Sequence, residues 1–180
     1  MRNFILIKNL FILGSLIILS SCLSIKPGSV KTGNKLFETF FVGEEGTQYF
    51  IKPLIFSNQL NEEIKLDITF RCKNEVKDSA IINISFFSKE NFNIVDSLKI
   101  NNESTDIVLK QMKYLFSERD KELFNCRFSV KGNLIDVKKL FNRSNWNLFL
   151  YKNGNTINYK TPKTTKKKID KINYEIFSLF

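Results

Sequence analysis

A chain of 180 residues with 43 % hydrophobic and 26 % charged side chains has globular composition, with room for one ordinary domain beside a targeting segment. Its eighteen phenylalanines, of which only Phe4 and Phe11 precede residue 22, supply bulky apolar surface for a core that calls for no metal and no cofactor. A net charge of +10 favours anionic neighbours, and the complete lack of histidine excludes Ser-His-Asp and Cys-His nucleophile systems and imidazole metal sites.

The chain opens with Arg2 and Lys8, then an apolar run over residues 10–19 broken only by Gly14 and Ser15, then Leu19-Ser20-Ser21-Cys22. A positive start, about ten apolar residues and small residues before a cut are the layout of a signal peptide. The run is too short for a transmembrane helix, which needs about 20 apolar residues. Leu19-Ser20-Ser21-Cys22 resembles the lipobox of bacterial lipoproteins: an aliphatic residue, two small ones and a cysteine. The resemblance implies that residues 1–21 are a lipoprotein signal peptide, that cleavage falls before Cys22, and that the Cys22 thiol carries diacylglycerol. Two or three acyl chains anchor where one does not, since each buried methylene adds about 0.8 kcal/mol. Leu23-Ser24-Ile25-Lys26 places no aspartate beside the cysteine, which by the same resemblance implies the outer membrane, with the domain facing the periplasm. Residues 22–35, with Pro27, Gly28 and Gly33, read as a flexible tether.

Residues 36–161 read as a mainly β domain. The clearest strand is 64–72, where Ile64, Leu66, Ile68, Phe70 and Cys72 alternate with Lys65, Asp67, Thr69 and Arg71. Phe124, Cys126, Phe128 and Val130 repeat the pattern, and Ala80, Ile82, Ile84 and Phe86 make a third strand. Residues 146–152 and 156–160 around Asn153-Gly154 predict a hairpin with a tight turn. Weaker strands fall at 36–42, 47–56 and 105–110; Pro53 assigns the second of these to a sheet edge or a bulge. Short helical turns are expected within 112–123 and 134–141. About seven to nine strands at short intervals predict an antiparallel, immunoglobulin-like β-sandwich. Residues 162–180 change character: Lys163, Lys166, Lys167, Lys168 and Lys171 cluster, and Ile169, Ile172, Ile176 and Phe180 recur at helical spacing, predicting a short basic amphipathic helix.

Cys72 and Cys126 share the apolar parity of strong strands, and in an oxidising periplasm two such thiols are expected to form a disulfide; two buried thiols are the alternative. Glu44, Glu45, Glu62 and Glu63 are carboxylates in turn-like stretches, read as solvated. Trp146, Phe149 and Tyr151 offer a stacking platform for a sugar only if Trp146 faces outward, and strand parity turns it to the core. The lysine cluster is the leading candidate for contact with an anionic surface, either headgroups or an acidic partner. The function expected is a lipid-anchored, non-enzymatic binding or assembly component of the envelope, with an envelope protein as partner and no role for nucleic acid. A small-ligand binder for glycan or lipid and a carboxylate-dependent hydrolase are the alternatives.

Overall fold

The computed structural model describes residues 36–72 and 79–179. The expected signal peptide (1–21) and tether (22–35), with Cys22, and Phe180 of the expected C-terminal helix lie outside the described residues. Ten strands are present among those described: β1 (Phe37–Phe41), β2 (Thr47–Ser57), β3 (Glu63–Cys72), β4 (Ser79–Ser88), β5 (Ser97–Asn101), β6 (Asp106–Lys110), β7 (Lys113–Asp120), β8 (Leu123–Asn133), β9 (Asn147–Lys152) and β10 (Asn155–Lys160). Two helices accompany them, α1 (Leu134–Phe141) and α2 (Lys163–Glu175).

All pairing is antiparallel, in the order β6-β5-β9-β10-β2-β3-β4-β8-β7, with β1 added beside β2. The molecule is therefore mainly β, as expected, but its strands form one sheet curled into a half-barrel, not two separate facing sheets. Two physical features account for the difference from the expected sandwich. β10 meets β2 at the single pair Lys160↔Ser57, which joins what would otherwise be a four-stranded and a six-stranded sheet. The helices, not a second sheet, cover the inner face: α1 packs against β4, β6, β8 and α2, and α2 packs against β2.

Alternation explains the interior. Ile64, Leu66, Ile68 and Phe70 of β3, Ile82, Ile84 and Phe86 of β4, and Cys126 and Phe128 of β8 all point inward and are buried. Phe70 stacks on Phe177 at 5.4 Å, and Phe177 meets Phe141 at 4.5 Å, so the aromatic core runs from the sheet through the 3-10 turn after α2 to α1. Each such side chain contributes about 1.5–3 kcal/mol by leaving water. Pro53 sits in the register shift between Ile51 and Leu54 of β2, the expected bulge. Asn153 (φ 51°) and Gly154 (φ 75°) make the predicted hairpin turn.

Three further expectations change. Residues 113–120, read as part of a helical turn, are the edge strand β7, whose register slips between Tyr114 and Phe116. The inserted residue breaks the period-two pattern that would have marked it. β5 was not foreseen, having only Leu98 and Ile100 to alternate. The disulfide is also excluded, because Cys126 pairs with Phe86 and Phe86 with Ile64, whereas Cys72 lies eight residues further along β3. At about 3.3 Å per residue the separation is roughly 26 Å, whereas a disulfide needs Cα atoms within about 7 Å. Both cysteines are thiols. That of Cys126 is buried, 3.6 Å from Ser117 Oγ and donating to Asn91 Oδ1 at 3.6 Å.

Candidate functional site

The lysine cluster lies on α2, and the helix is built so that it must face outward. Thr165, Ile169, Ile172 and Ile176 are buried, spaced three or four residues apart along one side. Thr165 Oγ1 donates to the carbonyl of Ile55 at 2.7 Å, tying the first turn of α2 to β2. With that side fixed, Lys163, Lys167 and Lys171 follow one another every four residues on the opposite side, about 6 Å apart along the axis. All three are exposed, as is Tyr174 at 78 % beside them. Lys166 and Lys168 flank the stripe and are half-buried. Lys171 pairs with Glu175 at 3.4 Å, which offsets part of its charge. Lys163, Lys166, Lys167 and Lys168 make no ion pair among the described residues. The five predicted residues are thus brought together as one surface, with four carrying most of its charge.

A second basic surface was not foreseen. An open groove of about 620 Å³ on the outer sheet face takes Arg71 from β3, Lys113 from β7 and Lys131 from β8. Gln48, Thr69 and Ser129 add hydrogen-bonding groups, and Ile81 forms part of the floor. Arg71 Nε donates to Gln48 Oε1 at 3.2 Å. These residues are distant in sequence and meet only through the β3-β4-β8-β7 pairing. The sequence placed Arg71 and Lys131 on outward parity but misread the segment holding Lys113. Another open groove, of about 600 Å³, lies where β2 and β10 diverge, lined by Asn58, Gln59, Leu60, Thr156, Asn158 and Lys160 among others.

The sequence-predicted carboxylates do not converge. Glu44 is exposed in a short 3-10 turn, Glu62 accepts from Asn58 Nδ2 at 2.7 Å, and Glu63 sits 3.8 Å from Lys65. Neither groove is lined by a carboxylate. Asp106 is the carboxylate held below its usual range, by hydrogen bonds from Asn101 and Lys99, and it is exposed on an edge strand. Asp67 joins a cross-strand network instead: it accepts from Asn83 Nδ2 and from Arg127, each at 2.8 Å, and Arg127 also donates to Ser85 Oγ at 2.8 Å. The network links β3, β4 and β8 on the outer face.

Trp146 is fully buried, stacked on Phe56 and edge-on to Phe141. Its indole N–H donates to the carbonyls of Leu140 (2.9 Å) and Arg143 (2.6 Å), so it closes the C-terminus of α1 and is not part of a sugar platform. Comparison with protein-family models, with curated proteins and with solved structures finds no match.

Proposed function

We propose that this chain is a lipid-anchored envelope protein, non-enzymatic, that serves as a binding or assembly component. Residues 1–21 direct export, Cys22 carries the lipid at the outer membrane, and the domain faces the periplasm on its tether. The single observation that supports the binding role is the lysine face of α2. Its charges stand on a helix locked into the core through Ile169, Ile172 and Ile176, each fully buried. A row of cations spaced by helical turns suits an acidic protein surface, because the backbone that carries them is ordered before the encounter and only the lysine side chains have order to gain on binding.

The test has two parts. Cys22→Ser leaves the precursor unlipidated and unprocessed by lipoprotein signal peptidase; acyl labelling of that variant at the normal level refutes the anchor. A photo-cross-linking residue at position 167 captures one discrete envelope protein in cells, and Lys163→Glu with Lys166→Glu abolishes the adduct; an adduct unaffected by both charge reversals refutes the binding face.

The groove holding Arg71, Lys113 and Lys131 favours a second reading, a small-ligand binder for an anionic glycan or lipid headgroup. A carboxylate-dependent hydrolase calls for two carboxylates roughly 5–10 Å apart in a cleft, and no observation among the described residues favours it.

A further inference from the structure

β7 differs from every other strand of the domain. It closes one end of the sheet, so one of its edges has no strand beyond it among the described residues. Seven of its eight residues are exposed, including Tyr114 (37 %), Leu115 (41 %) and Phe116 (41 %) in succession. A sheet edge carries a row of backbone donors and acceptors that invites another strand, and proteins ordinarily blunt such an edge with charge, bulges or cover. Here large apolar side chains stand on it instead. β7 does carry a bulge, and its charges sit at its two ends: Lys113 at the start, and Glu118, Arg119 and Asp120 at the finish, where the acids outnumber the base.

We infer that β7 pairs antiparallel with β7 of a second copy, extending the sheet across a two-fold axis. The commitment to a second copy rests on self-complementarity. In the register centred between Leu115 and Phe116, Lys113 faces the partner's Glu118, Tyr114 faces the partner's Ser117, and Leu115 faces the partner's Phe116. Every pair then occurs twice. The register also respects the faces seen in the monomer. Lys113 pairs with Ser129 and Glu118 with Asn125, so both lie on the outer face, whereas Tyr114 (opposite Phe128) and Ser117 (opposite Cys126) lie on the inner face. Sliding the pairing by one residue in either direction would set Lys113 of the outer face against Ser117 or Arg119 of the inner face. Glu118 already accepts from Asn125 Nδ2 at 3.0 Å through Oε1, leaving its other oxygen for the partner's lysine.

The contact is isologous and closes on itself, which gives a dimer and not a filament. Six facing residues per copy bury less than the roughly 1,000 Å² of a stable interface, so the pairing is weak in dilute solution. A membrane anchor at Cys22 would raise the effective concentration of each copy for the other and favour it.

Register-specific cross-linking of the full chain in cells tests the inference. Directly opposed residues of antiparallel strands have Cα atoms about 4.5–5.5 Å apart, within disulfide reach, whereas Lys113 and its own copy would be separated by roughly 17 Å along the strand. The double variant Lys113→Cys/Glu118→Cys therefore gives a covalent dimer on a non-reducing gel, and either single variant does not. No dimer from the double variant, or equal dimer from a single one, overturns the proposal. Charge reversal is the independent arm, read for the full chain in cells as the yield of dimer from a photo-cross-linker at position 115, alongside thermal unfolding of the purified protein to verify folding. Lys113→Glu lowers the dimer at least tenfold, and Lys113→Glu/Glu118→Lys restores it. A double swap that stays monomeric while folded overturns the proposal as well.

Discussion

The two helices of this domain sit side by side and are stabilised in opposite ways. α1 satisfies the local rules at both ends. The Asn133 side chain accepts from the amides of Ile135 and Asp136, Asp136 occupies the first turn, and Lys138 and Lys139 occupy the last. Its C-terminal carbonyls are also served, by Asn102 Nδ2 (2.6 Å to Leu140) and by the Trp146 indole. α2 breaks the same rules. Pro162 at its start supplies no side-chain cap, no acidic residue lies in its first turn, and Lys163, Lys166 and Lys167 crowd the positive end of its dipole. It is held by burial, through Thr165, Ile169, Ile172 and Ile176. A helix whose sequence opposes its own dipole, and which is kept in place by one apolar side, has put charge where helix stability alone would not. That contrast is the physical ground for assigning the lysine face a task.

The largest effect expected tests the dependence of α2 on burial. Ile172→Ala removes a fully buried side chain and lowers stability by about 2–5 kcal/mol, measured by urea unfolding. In that variant the α2 amides exchange with solvent well before those of α1; simultaneous exchange of both helices would break the comparison. Next comes Asn102→Ala. Asn102 is fully buried; its loss removes one donor to the carbonyls of Leu140 and Lys139 and takes away the acceptor of the Ser104 and Thr105 amides, at about 1–3 kcal/mol. A pair of smaller changes sharpens the contrast further. Asn133→Ala costs about 1 kcal/mol by uncapping α1, whereas Pro162→Asp raises the stability of α2 by several tenths to about 1 kcal/mol by giving it the cap it lacks. A loss of stability on Pro162→Asp would mean that Pro162 fixes the entry of α2 and that capping is not what the helix is missing.

What the sequence made legible follows from where each residue sits. Ile64 to Cys72 and Phe124 to Val130 were readable because β3 and β8 are interior strands with one face to the helices, where alternation survives intact. The outward turn of the lysines was readable too, since Ile169, Ile172 and Ile176 fix the buried side of α2 by spacing alone. β7 was not, because its bulge puts Tyr114, Leu115 and Phe116 in an unbroken run and an edge strand need not bury them. Parity also misled at Cys72 and Cys126: it gives the face of a strand but not the height along it, and height separates the two thiols. The choice between one sheet and two turned on Lys160↔Ser57, a single pairing across more than a hundred residues that no local pattern records. The groove of Arg71, Lys113 and Lys131 depends on the β3-β4-β8-β7 pairing, which no local pattern records either.

The lysines of α2 themselves carry the most direct test. Lys163→Glu, Lys166→Glu and Lys167→Glu together replace repulsion at the helix dipole by attraction, worth about 0.3–1 kcal/mol at each site, while removing the cations proposed to bind. In the full chain carrying a photo-cross-linker at position 174, this triple variant is expected to melt at the same or a higher temperature and to lose the envelope adduct expected of the native sequence. An undiminished adduct, or a lowered melting temperature, would contradict the claim that these lysines are placed for a partner and not for the fold.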